Sequence, residues 1–354
     1  MPTLPPPALI VRLRNWVGDV TLSLPLLQRL ADEGHALTLV GKAWARDLLA
    51  AQGWPVHVLP ATTRERVALL RRLRLAIGQP KGQQPDLQSG APTAQQTGAP
   101  LAARAGARTR LLPRGGIDAL CLPDSFSSAL DFRLAGLRAL GHAWEGRSLL
   151  LGRAVKRPRG THELQVYWQL GDALLGRSAP LPARIGLRAT AAQRVQARAL
   201  RAAHGIEAGY VLICPFAGGT WNQQDKTWPA FAGFVAHGLQ AYGRRIVVCP
   251  GPGDEERIAR EHFAGAQLLA GVDLGVYTAL LEDAALMLSN DTGPGHMAAA
   301  VGTPLVSING PSDPRLWRPW GPSVQVLGGH GVWPDVAAVR DAVAGALAAR
   351  QSAA

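Results

Sequence analysis

The chain is poor in cysteine, in lysine and in long apolar runs. Its 354 residues hold three cysteines, Cys121, Cys214 and Cys249. They lie in or beside apolar stretches with no CxxC pair, which speaks against a disulfide framework or a thiolate zinc site and in favour of reduced core thiols. No apolar run approaches the roughly 20 residues needed to cross a bilayer. The start, MPTLPPPALIVRLR, has no basic leader followed by an apolar core, so the expectation is a cytoplasmic chain without a transmembrane segment. Zinc-finger spacing, an aromatic RNA-binding pattern and a helix-turn-helix are all missing, which argues against nucleic acid as a partner. The first strand is followed by RNWVGDV, with one glycine where a nicotinamide-dinucleotide fingerprint needs GxGxxG.

What is present points to a two-domain α/β protein. The chain length suits two domains at about 100–200 residues each, and 47% hydrophobic residues can build two cores. Strand-like and helix-like segments alternate: ALIVRL, then TLSLPLLQRLADEG with Pro25 expected in the first helical turns, then ALTLVGK and VHVLP. Residues 79–109 shift to Gly, Pro, Gln, Ala and Ser, and are expected to form a mobile insertion. The alternation resumes with IDALCLPDSFSSALDFRLAGL, and SAPLPARIGL reads as a linker, giving domains of 1–180 and 181–354. In the second half YVLICPFAGG, the helix FAGFVAHGLQAYG, RRIVVCPGPGD and TPLVSINGPSD continue the pattern. Such alternation implies mainly parallel sheets with right-handed crossovers. Ligands of such sheets bind at the carboxyl ends of the strands, so the strand-to-helix turns are where chemistry is to be sought.

Three turns stand out. In SNDTGPGHMAAAVG a strand ends at LMLSN, Asn290 or Asp291 can cap the next helix, and Pro294 suits its first turn. The free amides of Thr292 and Gly293, the Thr292 hydroxyl and the helix dipole would favour a phosphate, with His296 one turn along. The same residues can equally make a plain capped helix with a packed histidine. In FAGGTWNQQDKTWP a glycine loop runs into Lys226, one of only four lysines among 37 basic residues. It is either a compact cation for a phosphate or an ordinary surface lysine. In NWVGDV, Gly18 allows a tight turn and Asp19 sits at a helix start, as an N-cap or as a carboxylate able to take a proton from an incoming hydroxyl. The turn GPGDEE reads as a plain turn.

The charge is uneven: residues 1–180 carry a net +11 of the total +12. Either these are solvated arginine faces, or the first half meets a polyanion such as an acidic lipid headgroup.

The run SNDTGPGHMAAAVGTPLVSINGPSDPRLWRPWGP resembles the C-terminal signature of glycosyltransferase family 9, the heptosyltransferases. RNWVGDVTLSLPLLQRL, LPDSFSSALDFRLAGLRALGHAWEGR, THELQVYWQLGDAL and CPFAGGTWNQQDKTWP resemble further family segments in the family's order. THELQVY retains His162 and Tyr167 but departs from the usual pattern at Gln165 and Val166. The resemblance implies a GT-B fold, two Rossmann-like domains facing a central cleft, with acceptor binding in the first and nucleotide-sugar binding in the second. It implies inverting transfer of heptose from ADP-heptose to an acidic Kdo–lipid A type acceptor, or its mono-heptosylated form, by a protein peripheral to the inner face of the inner membrane. Asp19 matches the general base, preceded by Gly18 on the acceptor side, and Lys226, Thr292 and Gly293 match positions that hold the donor diphosphate. Asp291 and His296 occupy donor-motif positions. The family does not use a metal-binding DxD pattern and none is evident, so neither metal nor cofactor is expected beyond the donor substrate.

Overall fold

The computed structural model describes residues 7–77 and 116–351; the expected insertion at 79–109 lies outside them. In chain order the elements begin with β1 (Ala8–Arg12), α1 (Val17–Asp32), β2 (Ala36–Gly41), α2 (Ala45–Leu48), β3 (Val56–Val58) and α3 (Thr63–Ile77). There follow β4 (Ala119–Cys121), α4 (Phe126–Leu134), β5 (Ala139–Ala143), β6 (Arg153–Lys156), α5 (Glu163–Leu175) and α6 (Ala191–Ala203). The next elements are β7 (Val211–Cys214), β8 (Thr220–Trp221), β9 (Gln224–Asp225), α7 (Phe231–Gly233), β10 (Ile246–Val248), α8 (Glu255–His262) and β11 (Gln267–Leu268). The last are α9 (Leu274–Asp283), β12 (Leu286–Asn290), α10 (Gly293–Val301), β13 (Leu305–Asn309), α11 (Pro314–Trp317), β14 (Val324–Gly328) and α12 (Val336–Gln351).

The described residues fall into two compact units. The first, residues 7–13, 34–41, 56–77 and 116–156, is built on a six-stranded sheet of order β3-β2-β1-β4-β5-β6, parallel throughout. Its core joins Ile10, Val40 and Cys121 to Phe132 of α4 and to Val67, Leu70 and Leu73 of α3. Those last three recur at helical spacing, so one face of α3 is apolar, and Arg66 beside it donates to the buried Asp131 of α4 at 2.6 Å.

The second unit, residues 14–33, 42–55 and 157–351, carries a six-stranded sheet of order β11-β10-β7-β12-β13-β14, again all parallel. Every residue of β7, β12 and β13 is buried, as expected of central parallel strands covered on both faces. Helix α12 packs on β12, β13 and β14. Helix α1 belongs to this unit too and packs against α5 and α10. A methyl group at Gly171 would stand 2.7 Å from Leu26 Cδ1, so α1 and α5 approach closely at a residue without a side chain. Numbered from its own first strand, each sheet has the doubly wound order 3-2-1-4-5-6, with its switch point beside that first strand: β1/β4 in one, β7/β12 in the other.

Two helices differ from the sequence expectation. Helix α1 starts at Val17, with Trp16 as an extended N-cap, so Asp19 is not the N-cap and Pro25 sits in mid-helix. Gly18 hides this start because glycine is a poor helix former and reads as a turn. The segment FAGFVAHGLQAYG is not one α-helix: after α7 it widens into a π-turn over Phe234–Gly238 and tightens into a 3₁₀ turn over Leu239–Tyr242. The two glycines inside it weaken a regular helix. The GPGDEE segment is a plain turn into α8, with Gly253 at φ 90°. Cys121, Cys214 and Cys249 are free thiols, and burial pushes Cys121 up to about 11 and Cys214 up to about 12. No described helix is long and apolar enough to cross a membrane.

Candidate functional site

The switch point of the second sheet is built from the turns that leave β7 and β12. Asn290, the last residue of β12, donates through Nδ2 to the Pro215 carbonyl at 2.6 Å. Its Oδ1 accepts the Trp228 amide at 3.1 Å. One buried amide thus fixes both ends of the loop that follows β7, and it is not a helix cap. Within that loop β8 and β9 form an antiparallel hairpin whose two turn residues, Asn222 and Gln223, both have positive φ (47° and 66°). That combination matches the right-handed twist of paired strands. The hairpin delivers Lys226 beside β12, with Nζ 3.3 Å from Asp291 Oδ2. Asp291 therefore pairs with the lysine and does not cap α10. With side-chain exposures of 16% and 7% the pair is mostly shielded from water.

Helix α10 begins at Gly293 with Thr292 as its N-cap, and the Thr292 side chain caps no amide of the first turn. Pro294 carries no N–H and the Gly295 amide donates to the Thr292 carbonyl at 3.1 Å, so the amides of Thr292 and Gly293 are the donors this helix start can offer an anion. His296, 6% exposed, has a buried Nδ1 with no hydrogen-bond partner among the described residues. Burial, reinforced by His162 and Lys226 against the opposing pull of Asp291, lowers His296 to about 4. The imidazole is neutral at physiological pH.

The first turn of α1 lies against this helix end at two glycines. A methyl on Gly18 would stand 2.8 Å from Cδ2 of His296, and one on Gly293 would stand 2.9 Å from Cβ of Val17. Both distances are shorter than real Cβ contacts, so glycine at each position is what lets the two helix N-termini meet. On the other side of α1, Asp19 Oδ1 accepts the Tyr167 hydroxyl at 2.7 Å and lies 3.5 Å from Arg14 Nε. Arg14 Nε donates to the Tyr167 oxygen at 2.9 Å, and Nη2 to Glu163 Oε1 at 2.8 Å. Arg157 Nη2 donates to the other Glu163 oxygen at 2.6 Å.

All seven residues singled out in the sequence, Gly18, Asp19, Lys226, Asp291, Thr292, Gly293 and His296, line one cavity of about 400 Å³. Trp16, Trp221 and Trp317 complete its wall together with Gly218, Gly219 and Thr220. The tryptophans carry no pattern by which the sequence would place them here. A larger hollow of about 760 Å³ between Gln28, Gly53, Arg188 and Arg194 gathers no comparable set, and its Arg194 is held by Glu282 at 2.6 and 2.9 Å. Among the described residues no group of three or more His, Cys, Asp or Glu is arranged to hold a metal ion. The cavity offers a helix N-terminus and an ammonium on one side and a carboxylate on the other. It can bind a phosphorylated ligand and hold a proton acceptor close to it.

Comparison with known proteins finds relatives of this chain. Lipopolysaccharide heptosyltransferase 3 of Escherichia coli is 37% identical over 124 residues, covering 33% of this chain and 35% of that protein. Lipopolysaccharide heptosyltransferase 1 of Escherichia coli K12 is 35% identical over 109 residues, covering 30% and 34%. The alignments thus span about a third of these curated relatives. Among solved structures, ADP-heptose lipopolysaccharide heptosyltransferase II of E. coli superposes with a TM-score of 0.71 at 22% identity, over 97% of this chain and 99% of that one. A family 9 glycosyl transferase from Veillonella parvula gives 0.68 at 19% identity, over 91% and 85%. The shared fold is GT-B, with two Rossmann-like sheets. The profile of glycosyltransferase family 9 (heptosyltransferase) matches residues 116–340, more than half of the chain, and the chain belongs to that family.

Proposed function

We propose that the chain is an inverting glycosyltransferase that moves heptose from ADP-heptose to the lipopolysaccharide inner core, the acceptor being Kdo–lipid A or its mono-heptosylated form. The observation that carries this reading is the convergence of the β1–α1, β9–α7 and β12–α10 turns on one cavity in a family 9 chain. Asp19 takes the proton of the acceptor hydroxyl as its oxygen attacks the anomeric carbon. The bond from that carbon to the diphosphate breaks on the opposite face, and ADP leaves with the electron pair. Lys226 and the N-terminal amides of α10, at Thr292 and Gly293, stabilise the negative charge that grows on the leaving group. Asp291 holds the ammonium in place, and neutral His296 is a hydrogen-bonding partner for the donor. Gly18 lets α1 bring Asp19 close.

Donor binding is assigned to residues 181–354 and acceptor binding to residues 1–180, whose net +11 suits a phosphorylated, carboxylated lipid at the inner face of the inner membrane. The experiment is ADP release by the purified chain from ADP-heptose, with and without each acceptor. Release that depends on one of the two is the expected result and identifies which. Donor binding with no transfer to either acceptor would overturn heptose transfer to the inner core.

A further inference from the structure

We infer that Tyr167 and Arg14 are positioning residues for the Asp19 carboxylate, anchored through Glu163 to Arg157. The inference rests on the reading of Asp19 as general base and adds what makes that base work.

A carboxylate on the first turn of a helix rotates freely unless something holds it, and a proton acceptor is useful only within hydrogen-bond reach of its proton. The phenolic hydroxyl of Tyr167 has one proton. Arg14 Nε–H donates to that hydroxyl at 2.9 Å and Asp19 Oδ1 accepts from it at 2.7 Å, so the direction of the chain is fixed from guanidinium to phenol to carboxylate. A guanidinium on the phenol oxygen polarises the O–H and strengthens its bond to Asp19. Tyr167 is 1% exposed, so water does not compete for it. Burial and the neighbouring Asp19 hold its pKa well above the usual 10. It stays protonated over the working range and remains a donor, never the base.

Arg14 is itself gripped. Each oxygen of Glu163, whose side chain is 3% exposed, takes one guanidinium, Arg14 at 2.8 Å and Arg157 at 2.6 Å. Glu163 and Tyr167 are four apart and lie on the same face of α5, while Arg14 and Asp19 flank the start of α1. Carboxylate, guanidinium, carboxylate and guanidinium alternate along the chain, so no net charge is buried. The other titratable groups on the cavity are Lys226, Asp291 and His296 on the α10 side. None of these touches the phenol. Tyr167 and Arg14 both reach the same Asp19 oxygen, at 2.7 and 3.5 Å.

The test uses the full chain and steady-state ADP release from ADP-heptose with whichever inner-core acceptor supports turnover, followed from mildly acidic to mildly alkaline pH. Tyr167→Phe removes one oxygen and keeps the ring. It is expected to lower kcat about 10- to 100-fold, with donor KM changed less than about threefold, and to move the acid limb of the kcat profile to higher pH because the carboxylate loses a donor that favours its charged form. Arg14→Lys is expected to act in the same sense, since one ammonium cannot serve both Tyr167 and Glu163. Glu163→Gln, which keeps the packing, provides an independent reading: a smaller loss of kcat with the same movement of the acid limb. A merely structural role would lower the thermal midpoint and the active fraction without moving that limb. Asp19→Asn separates the two ideas. If it is inactive while Tyr167→Phe and Glu163→Gln keep the wild-type limb, positioning is wrong and the base stands. If Asp19→Asn turns over normally, the base reading falls and the positioning inference with it.

Discussion

His296 is where a single side chain carries most information. Its buried, neutral imidazole is lowered to about 4 from the ordinary 6.5 of an unfolded histidine. Between those values the unfolded chain binds a proton that the native state refuses, so this contribution to stability is complete above pH 6.5 and is lost as pH falls towards 4. The full shift corresponds to on the order of 3 kcal/mol. Urea unfolding at neutral pH and near pH 5 should show a steeper loss for wild type than for His296→Gln, and equal losses would remove the histidine from the account. Seven residues of this cavity stand out in the sequence because glycine, aspartate, threonine and an isolated lysine recur at strand-to-helix turns, whereas the tryptophans of its wall carry no such mark. The helix cap that the sequence allows to Asn290 or Asp291 is made by neither. Their actual partners, Pro215, Trp228 and Lys226, come from another turn, which local patterns do not reveal.

Helix α5 shows how one element serves two ends. Its N-cap is His162, whose Nδ1 accepts the Leu164 amide at 3.2 Å while Nε2 faces the Arg318 carbonyl at 2.8 Å. With Nδ1 accepting, Nε2 carries the proton, so both nitrogens are committed. Burial lowers the histidine below its ordinary value. His162→Ala should destabilise the chain by about 1–2 kcal/mol through loss of the cap and of a buried partner for Arg318. His162→Asn, able to restore the cap alone, should fall between, and an unchanged urea midpoint in the alanine variant would contradict this. The segment THELQVYWQLGDAL, singled out by its resemblance to the family, forms α5. The sequence did not reveal that Glu163 and Tyr167 reach Arg14 and Asp19, because those pairs are separated by 149 and 148 residues. The start of α1 was misplaced for the opposite reason: a glycine required by a distant ring imitates a local turn.

At the scale of the whole molecule, strand and helix alternation gave two parallel sheets correctly. It did not give the strand order, since right-handed crossovers are compatible with several. The charge asymmetry is a whole-chain property and carries its own expectation. If the basic first half attracts an anionic acceptor, raising ionic strength should raise acceptor KM several-fold while ADP-heptose KM moves little, because exposed charges are screened and a shielded pair such as Lys226 and Asp291 is not. Equal salt dependence of both KM values would place the attraction elsewhere. Finally, the two sheets divide the chain near its middle, yet α1 and α5 group with the second. A chimera spliced near residue 180 would give α1 and α10 different parents and set a foreign side chain against the histidine ring that Gly18 accommodates, or against the Val17 that meets Gly293. The transplantable cassette is discontinuous: residues 14–33, 42–55 and 157–175 group with the second sheet, and recombination that respects only linear order breaks the cavity it means to exchange.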